Sequence, residues 1–113
     1  GVATVPSRAM LCTGLPAGFI HSAENIQTLV TACRCFGKVR MLGSAALMLC
    51  YVASGRSDSY WESRIAVWDI GAGLAIVQAA GAATRVGKIG CDLRVDVEVA
   101  RCNSLLASEV YGK

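Results

Sequence analysis

The sequence has no stretch long enough to cross a membrane as a helix, although 54% of its 113 residues are hydrophobic and the mean hydropathy is +0.49. The longest uncharged runs, residues 41–55 and 70–84, hold 15 residues each and both contain glycine. A spanning helix needs about 20 apolar residues. No basic segment followed by an apolar stretch opens the chain, so no signal peptide is expected. The opening GVATVPSRAM does not begin with Met and is expected to be a processed or excised end. Dense charge of one sign is lacking too. Eleven Lys and Arg against eight Asp and Glu leave a net charge of +3, and the basic residues are scattered from Arg8 to Lys113. Aromatics make up only 6%. Without a basic stripe interleaved with aromatics, neither nucleic acid nor a membrane surface is expected as a partner. Paired zinc ligands are also wanting. Cys33 and Cys35 lie two apart, a spacing that does not face one way on a helix, and no second pair follows. The six cysteines fall mostly inside apolar segments, where a free thiol behaves as a small hydrophobe. They are read as reduced, and the protein as cytoplasmic.

What the sequence does have is alternation of strand and helix signals. Residues 8–13 read as a strand, and GLPAG after them as a turn. A helix is expected from Ser22, a candidate N-cap, to a stop at Gly37, with Ala23, Ile26, Leu29, Val30 and Cys33 at helical spacing. Residues 38–42 read as a strand. A helix over 43–55 has Ser44 as N-cap and Gly55 just past its end. Residues 57–63 alternate like a strand, 68–81 form a helix ending at Gly81, and 82–87 form a strand and turn. Residues 93–100 place Leu93, Val95, Val97 and Val99 on one face and Arg94, Asp96 and Glu98 on the other. A short helix closes the chain. This order predicts an α/β layer. Two helices, over 45–53 and 70–80, are apolar almost all round, a pattern of helices buried on every side. Too few residues remain to cover both, so a second domain or another subunit is expected against them.

Asp69 stands at the head of the second of these helices. The plain reading is an N-cap. Its context says more. The segments VRMLGSAALMLCYVASGRSDSYWE (39–62), VWDIGAGLAIVQAAG (67–81) and VEVARCNSLLASEV (97–110), in this order and with CTGLPAGF (12–19) before them, resemble the C-terminal part of the inositol monophosphatase family of metal-dependent phosphatases. The resemblance covers nearly the whole chain. It implies a layered α/β/α domain with a mixed sheet of about five strands, equivalent to the C-terminal half of the family fold.

It also implies roles for particular residues. Asp69 matches a family metal ligand for Mg²⁺, which prefers hard carboxylate oxygens. Glu62 matches an acid that accepts hydrogen bonds from substrate hydroxyls; the alternative is a solvated acid at a strand end. Gly43, Ser44 and Ala45 match a helix start that lines the substrate pocket, where free N–H groups meet oxygens; the alternative is an ordinary serine cap. The implied substrate is inositol monophosphate or a related sugar or polyol phosphate, and lithium sensitivity goes with it. The family's Glu-rich segment and its Asp-Pro-hydrophobic-Asp-Gly-Thr motif, which supply the other metal ligands and the water-activating groups, do not occur in these 113 residues. So the chain is expected to be a substrate-side domain with no catalytic residue of its own, inactive without an N-terminal half, and oligomeric. Where the family has Glu-Ala-Gly-Gly, this sequence has Ala79-Ala80-Gly81-Ala82. Two other classes stay open: a non-catalytic binding or oligomerisation domain, and a phosphatase for histidinol phosphate or a nucleotide phosphate. DSYWE, with its terminal Glu62, is more like the inositol branch.

Overall fold

The computed structural model describes residues 5–14 and 23–111, apart from the side chain of Asn25. The expected cap Ser22, the core of the GLPAG turn and His21 lie outside these. Pro6 starts a 3-10 turn, Pro6–Arg8, which takes the first part of the strand expected from residue 8. The strands are β1 (Met10–Thr13), β2 (Lys38–Arg40), β3 (Ser59–Ala66), β4 (Ala83–Val86) and β5 (Arg94–Ala100). They form one five-stranded sheet in the order β2-β1-β3-β5-β4. Leu11 stands opposite Val39 on one side and Ser59 on the other, both in parallel pairing. β5 is antiparallel to both of its neighbours. The sheet is therefore mixed, and it is the α/β/α layering that the sequence implies.

Helices cover both faces. α2 (Ala45–Ala53) and α3 (Val67–Ala79) pack on the side of Cys12, Tyr60, Val95, Val97 and Val99. α1 (Ala23–Cys35) and α4 (Ala107–Tyr111) are on the side of Leu11 and Ala100. α2 buries Ala45, Met48, Leu49 and Val52, and α3 buries Ile70, Gly73 and Val77, each a stripe at helical spacing. The two helices approach closely at one point. A Cβ on Gly73 would lie 2.5 Å from Leu49 Cδ1 and 2.9 Å from Leu49 Cβ.

The outer faces of α2 and α3, against which another domain or subunit is expected, are bare, with Leu47, Ile76 and, at 68% exposure, Trp68 open to solvent. Several details depart from the sequence reading. α1 does not bury the expected residues. Ile26 and Val30 are exposed, whereas Ala32 and Phe36 are buried. The helix is held at its far end, where Gly37 donates to the carbonyls of Pro6 and Ala9 and has no room for a side chain beside the Ser7 carbonyl. β3 runs three residues past its expected end, through a register shift between Glu62 and Ile65. There Asp96 accepts from the Ser63 hydroxyl and the Arg64 N–H, which satisfies a backbone that the ladder skips. Arg64 takes φ 56°, held further by its ion pair to Asp92. Leu93 is not on the apolar face but exposed, at φ 60°. Glu98 is buried because α4 covers it. The Ser108 hydroxyl donates to its carboxylate, and Arg85 lies 3.5 Å away. Of the six cysteines, all free, only Cys12 is buried, while Cys33 and Cys91 are exposed. Among the described residues, no helix is long and apolar enough to cross a membrane.

The contact at Gly73 generates a paired expectation. Gly73→Ala should destabilise the chain by about 1–3 kcal/mol through overpacking against Leu49. Gly71→Ala, two residues away with nothing within 4 Å of its Cβ, should stabilise it by about 0.5–1 kcal/mol through helix propensity. Urea denaturation of the two variants beside wild type checks both signs.

Candidate active site

The carboxyl ends of β1, β2 and β3 point to one edge of the sheet. α1 leaves β1 toward one face and α2 leaves β2 toward the other. Such a divergence opens a crevice in α/β folds. A cavity of about 440 Å³ lies there, lined among others by Gly14, Gly43, Ser44, Ala45, Glu62 and Asp69. Apart from Glu62, which stands in the middle of β3 just before its register shift, each comes from the end of a strand or the start of a helix. Gly14 follows β1. Gly43 turns the chain at φ 77° into α2, a conformation that favours glycine. Ser44 is the N-cap of α2, its hydroxyl accepting from Leu47 N at 3.2 Å. That leaves the N–H groups of Ala45 and Ala46 without intrahelical partners.

Glu62 is 5% exposed. Its Oε1 accepts a hydrogen bond of 2.9 Å from the buried Tyr60 hydroxyl. Burial pushes the Glu62 carboxyl above the ordinary carboxylate range, the Tyr60 bond pulls it down, and the nearby charge of Asp69 raises it further. The Tyr60 hydroxyl is itself pushed far up, first by burial and then by the Glu62 charge. Glu62 is thus not the solvated strand-end acid of the alternative reading. Gly14 leaves it room, since a Cβ there would stand 3.0 Å from Oε1.

Asp69 is the third residue of α3 and is exposed. It is not the N-cap. Ala66 holds that position, and no side chain caps the helix. No described residue donates a hydrogen bond to the Asp69 carboxylate or pairs with it. Its place in the first helical turn favours a negative charge. It offers a hard oxygen donor of the type Mg²⁺ takes. Among the described residues, no three His, Cys, Asp or Glu stand together as a metal-holding group. These residues therefore fit one corner of a cation site and not a whole one.

Comparison with known proteins decides the family. The family model described as the inositol monophosphatase family matches residues 13–109. The chain belongs to the inositol monophosphatase family. It is 36% identical over 101 residues to an inositol-1-monophosphatase of Caulobacter vibrioides, covering 88% of this chain and 38% of that protein. It is 58% identical over 68 residues to an inositol-1-monophosphatase of Mesorhizobium japonicum, covering 60% of this chain and 23% of that protein. Among solved structures, SuhB of Mycobacterium tuberculosis superposes with a TM-score of 0.82 at 31% identity, over 99% of this chain and 43% of that one. The chain thus spans less than half the length of these relatives.

Within this member of the inositol monophosphatase family, two groups beside Glu62 escape the sequence reading: Gly14, which lines the cavity, and Tyr60, buried behind the carboxylate. The signal for Tyr60 is present in SYWES. Residues two apart on a strand share a face, so Tyr60 and Glu62 had to point the same way.

The raised Glu62 pKa has a sign that stability measurements can read. Between the unfolded value and the raised folded one, the native state holds more protons than the unfolded state. Stability therefore falls as pH rises through that window. Glu62→Gln keeps an acceptor for Tyr60 and removes the titration. Chemical denaturation from pH 4 to pH 7 should show wild type losing stability relative to Glu62→Gln as pH rises, with the variant the more stable at pH 7. Parallel curves would contradict the assignment.

Proposed function

We propose that this chain is the C-terminal, substrate-side domain of a Mg²⁺-dependent, lithium-sensitive phosphomonoesterase that hydrolyses inositol monophosphate or a related sugar or polyol phosphate. The observation that carries the reading is the cavity at the sheet edge, where an exposed Asp69 carboxylate and a buried Glu62 carboxylate line one space in a chain of this family. Asp69 would supply one oxygen ligand to Mg²⁺. When bound, that cation neutralises phosphate charge and acidifies water. The other residues of the chain bind and orient. The N–H groups of Ala45 and Ala46 at the start of α2 suit substrate oxygens. Glu62 suits a hydroxyl of the polyol. Holding these groups fixed beside the cation lowers the entropic part of the barrier.

The groups that activate water are assigned to a part of the protein outside these residues. The bare apolar faces of α2 and α3, with Leu47, Trp68 and Ile76, suit that part as their cover, or a second copy of the chain. Free thiols, two of them exposed, suit a reducing compartment such as the cytoplasm.

Assays on the full-length protein and on the 113-residue chain test the reading. Asp69→Asn in the full-length protein should lower kcat by at least about a hundredfold, roughly 2.7 kcal/mol in the barrier, with the fold intact by circular dichroism. The 113-residue chain alone should show no Mg²⁺-dependent hydrolysis of inositol monophosphate. Wild-type kcat in Asp69→Asn would sink the assignment, and an active isolated chain would sink the division of labour.

A further inference from the structure

We infer that Tyr60 is a positioning residue that pins one oxygen of Glu62 and so directs the other at a hydroxyl of the substrate. The inference rests on the phosphatase reading above and adds to it a determinant of specificity for polyol over simple phosphate esters.

The geometry has several parts. Tyr60 is fully buried in the core between the sheet and helices α2 and α3. A phenylalanine would fill that space equally well, so the hydroxyl has to be explained by its bond. That bond goes to Glu62 Oε1 at 2.9 Å and is buried. A buried hydroxyl and a buried carboxylate are each costly without a partner, and here each supplies the other. No cation pairs with Glu62 among the described residues, and nothing described donates to its Oε2. The carboxylate therefore keeps acceptor capacity for a neutral donor, which is what a polyol hydroxyl offers.

The remaining freedom of Glu62 is removed from two further sides. Gly14 stands beside Oε1 with no space for a methyl group between them. Its backbone is held in the ladder opposite Val97, and the register shift that follows is braced by Asp96 on Ser63 and Arg64. Without the Tyr60 bond the carboxylate could turn about its own side-chain torsions, and the hydroxyl of a substrate would meet a range of orientations.

The test is Tyr60→Phe in the full-length protein, assayed with inositol monophosphate and with phenyl phosphate, which has no hydroxyl to offer. KM for inositol monophosphate should rise about tenfold with kcat changed less than about threefold, while kcat/KM for phenyl phosphate shifts less than about twofold. In a Glu62→Gln background, Tyr60→Phe should add little to KM, because Tyr60 acts through Glu62. A purely structural role would move both substrates together and would persist in that background, and either result overturns the inference, as does an unchanged KM for inositol monophosphate. If Tyr60→Phe does not fold, Gly14→Ala displaces the same carboxylate from its other side. It should penalise inositol monophosphate over phenyl phosphate, and equal effects on the two overturn the inference. Asp69→Asn run alongside separates the two levels. If it retains activity the phosphatase reading fails, whereas if it is inactive and Tyr60→Phe gives no split between substrates, only the positioning role fails.

Discussion

The parallel pairing of β1 with β3 is the constraint on which the rest of the structure depends. It is fastened at both ends. At one end Asp58 accepts from Met10 N at 2.9 Å, returns a backbone bond to the Met10 carbonyl and pairs with Arg101 at 3.1 Å. At the other, the buried Thr13 hydroxyl donates to the Trp61 carbonyl at 2.6 Å. These contacts fix the relative height of the two strands. Because the heights are fixed, Gly14 comes level with Glu62. Because β3 then runs straight into α3, Asp69 follows within one helical turn of the strand end. Sliding β1 by one residue would reverse which side chains reach each face and would remove the space that Gly14 leaves for Glu62.

The site joins two carboxylates kept in different states of solvation. Asp69 is exposed and stands in a first helical turn, an environment that tolerates charge. Glu62 is buried and raised, an environment that resists it. A fold selected for stability alone has no use for the second. Its retention beside a cavity, with a tyrosine hydroxyl devoted to it, marks tension between stability and binding of the sort found at functional sites.

Much of this was legible in the residues. The order of strands and helices, the Ser44 cap, the glycine beyond α2 and the inward valines of β5 all follow from local chemistry that a single segment carries. What was not legible depends on partners distant in the chain. The extension of β3 through Ser63 and Arg64 needs Asp96 to receive the skipped N–H, and no local pattern announces a bulge. Glu98 reads as a solvent-facing residue until α4 folds over it and Ser108 reaches its carboxylate. The face of α1 was misread because its apolar residues are spread round the helix, so periodicity alone did not choose between Ile26 and Ala32. For Asp69, spacing suggested a cap; only the backbone of Ala66 shows that the helix begins before it. Family resemblance singled out Glu62 and Asp69, but the tyrosine and glycine that shape the surroundings of Glu62 emerge from three-dimensional packing.

The fastening of β1 to β3 joins residues 48 apart in sequence. Long loops of this kind close late, because the entropy of bringing their ends together precedes any reward from contact. Helical contacts are local and form orders of magnitude sooner. Until the sheet closes, the apolar residues of α2 and α3 have nothing to pack on, and Leu47, Trp68 and Ile76 on their outer sides stay exposed among the described residues even in the folded chain. In that interval other chains compete with the sheet for the same surfaces. The yield of native molecules is then a race between an intramolecular closure and a bimolecular collision, set by protein concentration as much as by the depth of the native minimum.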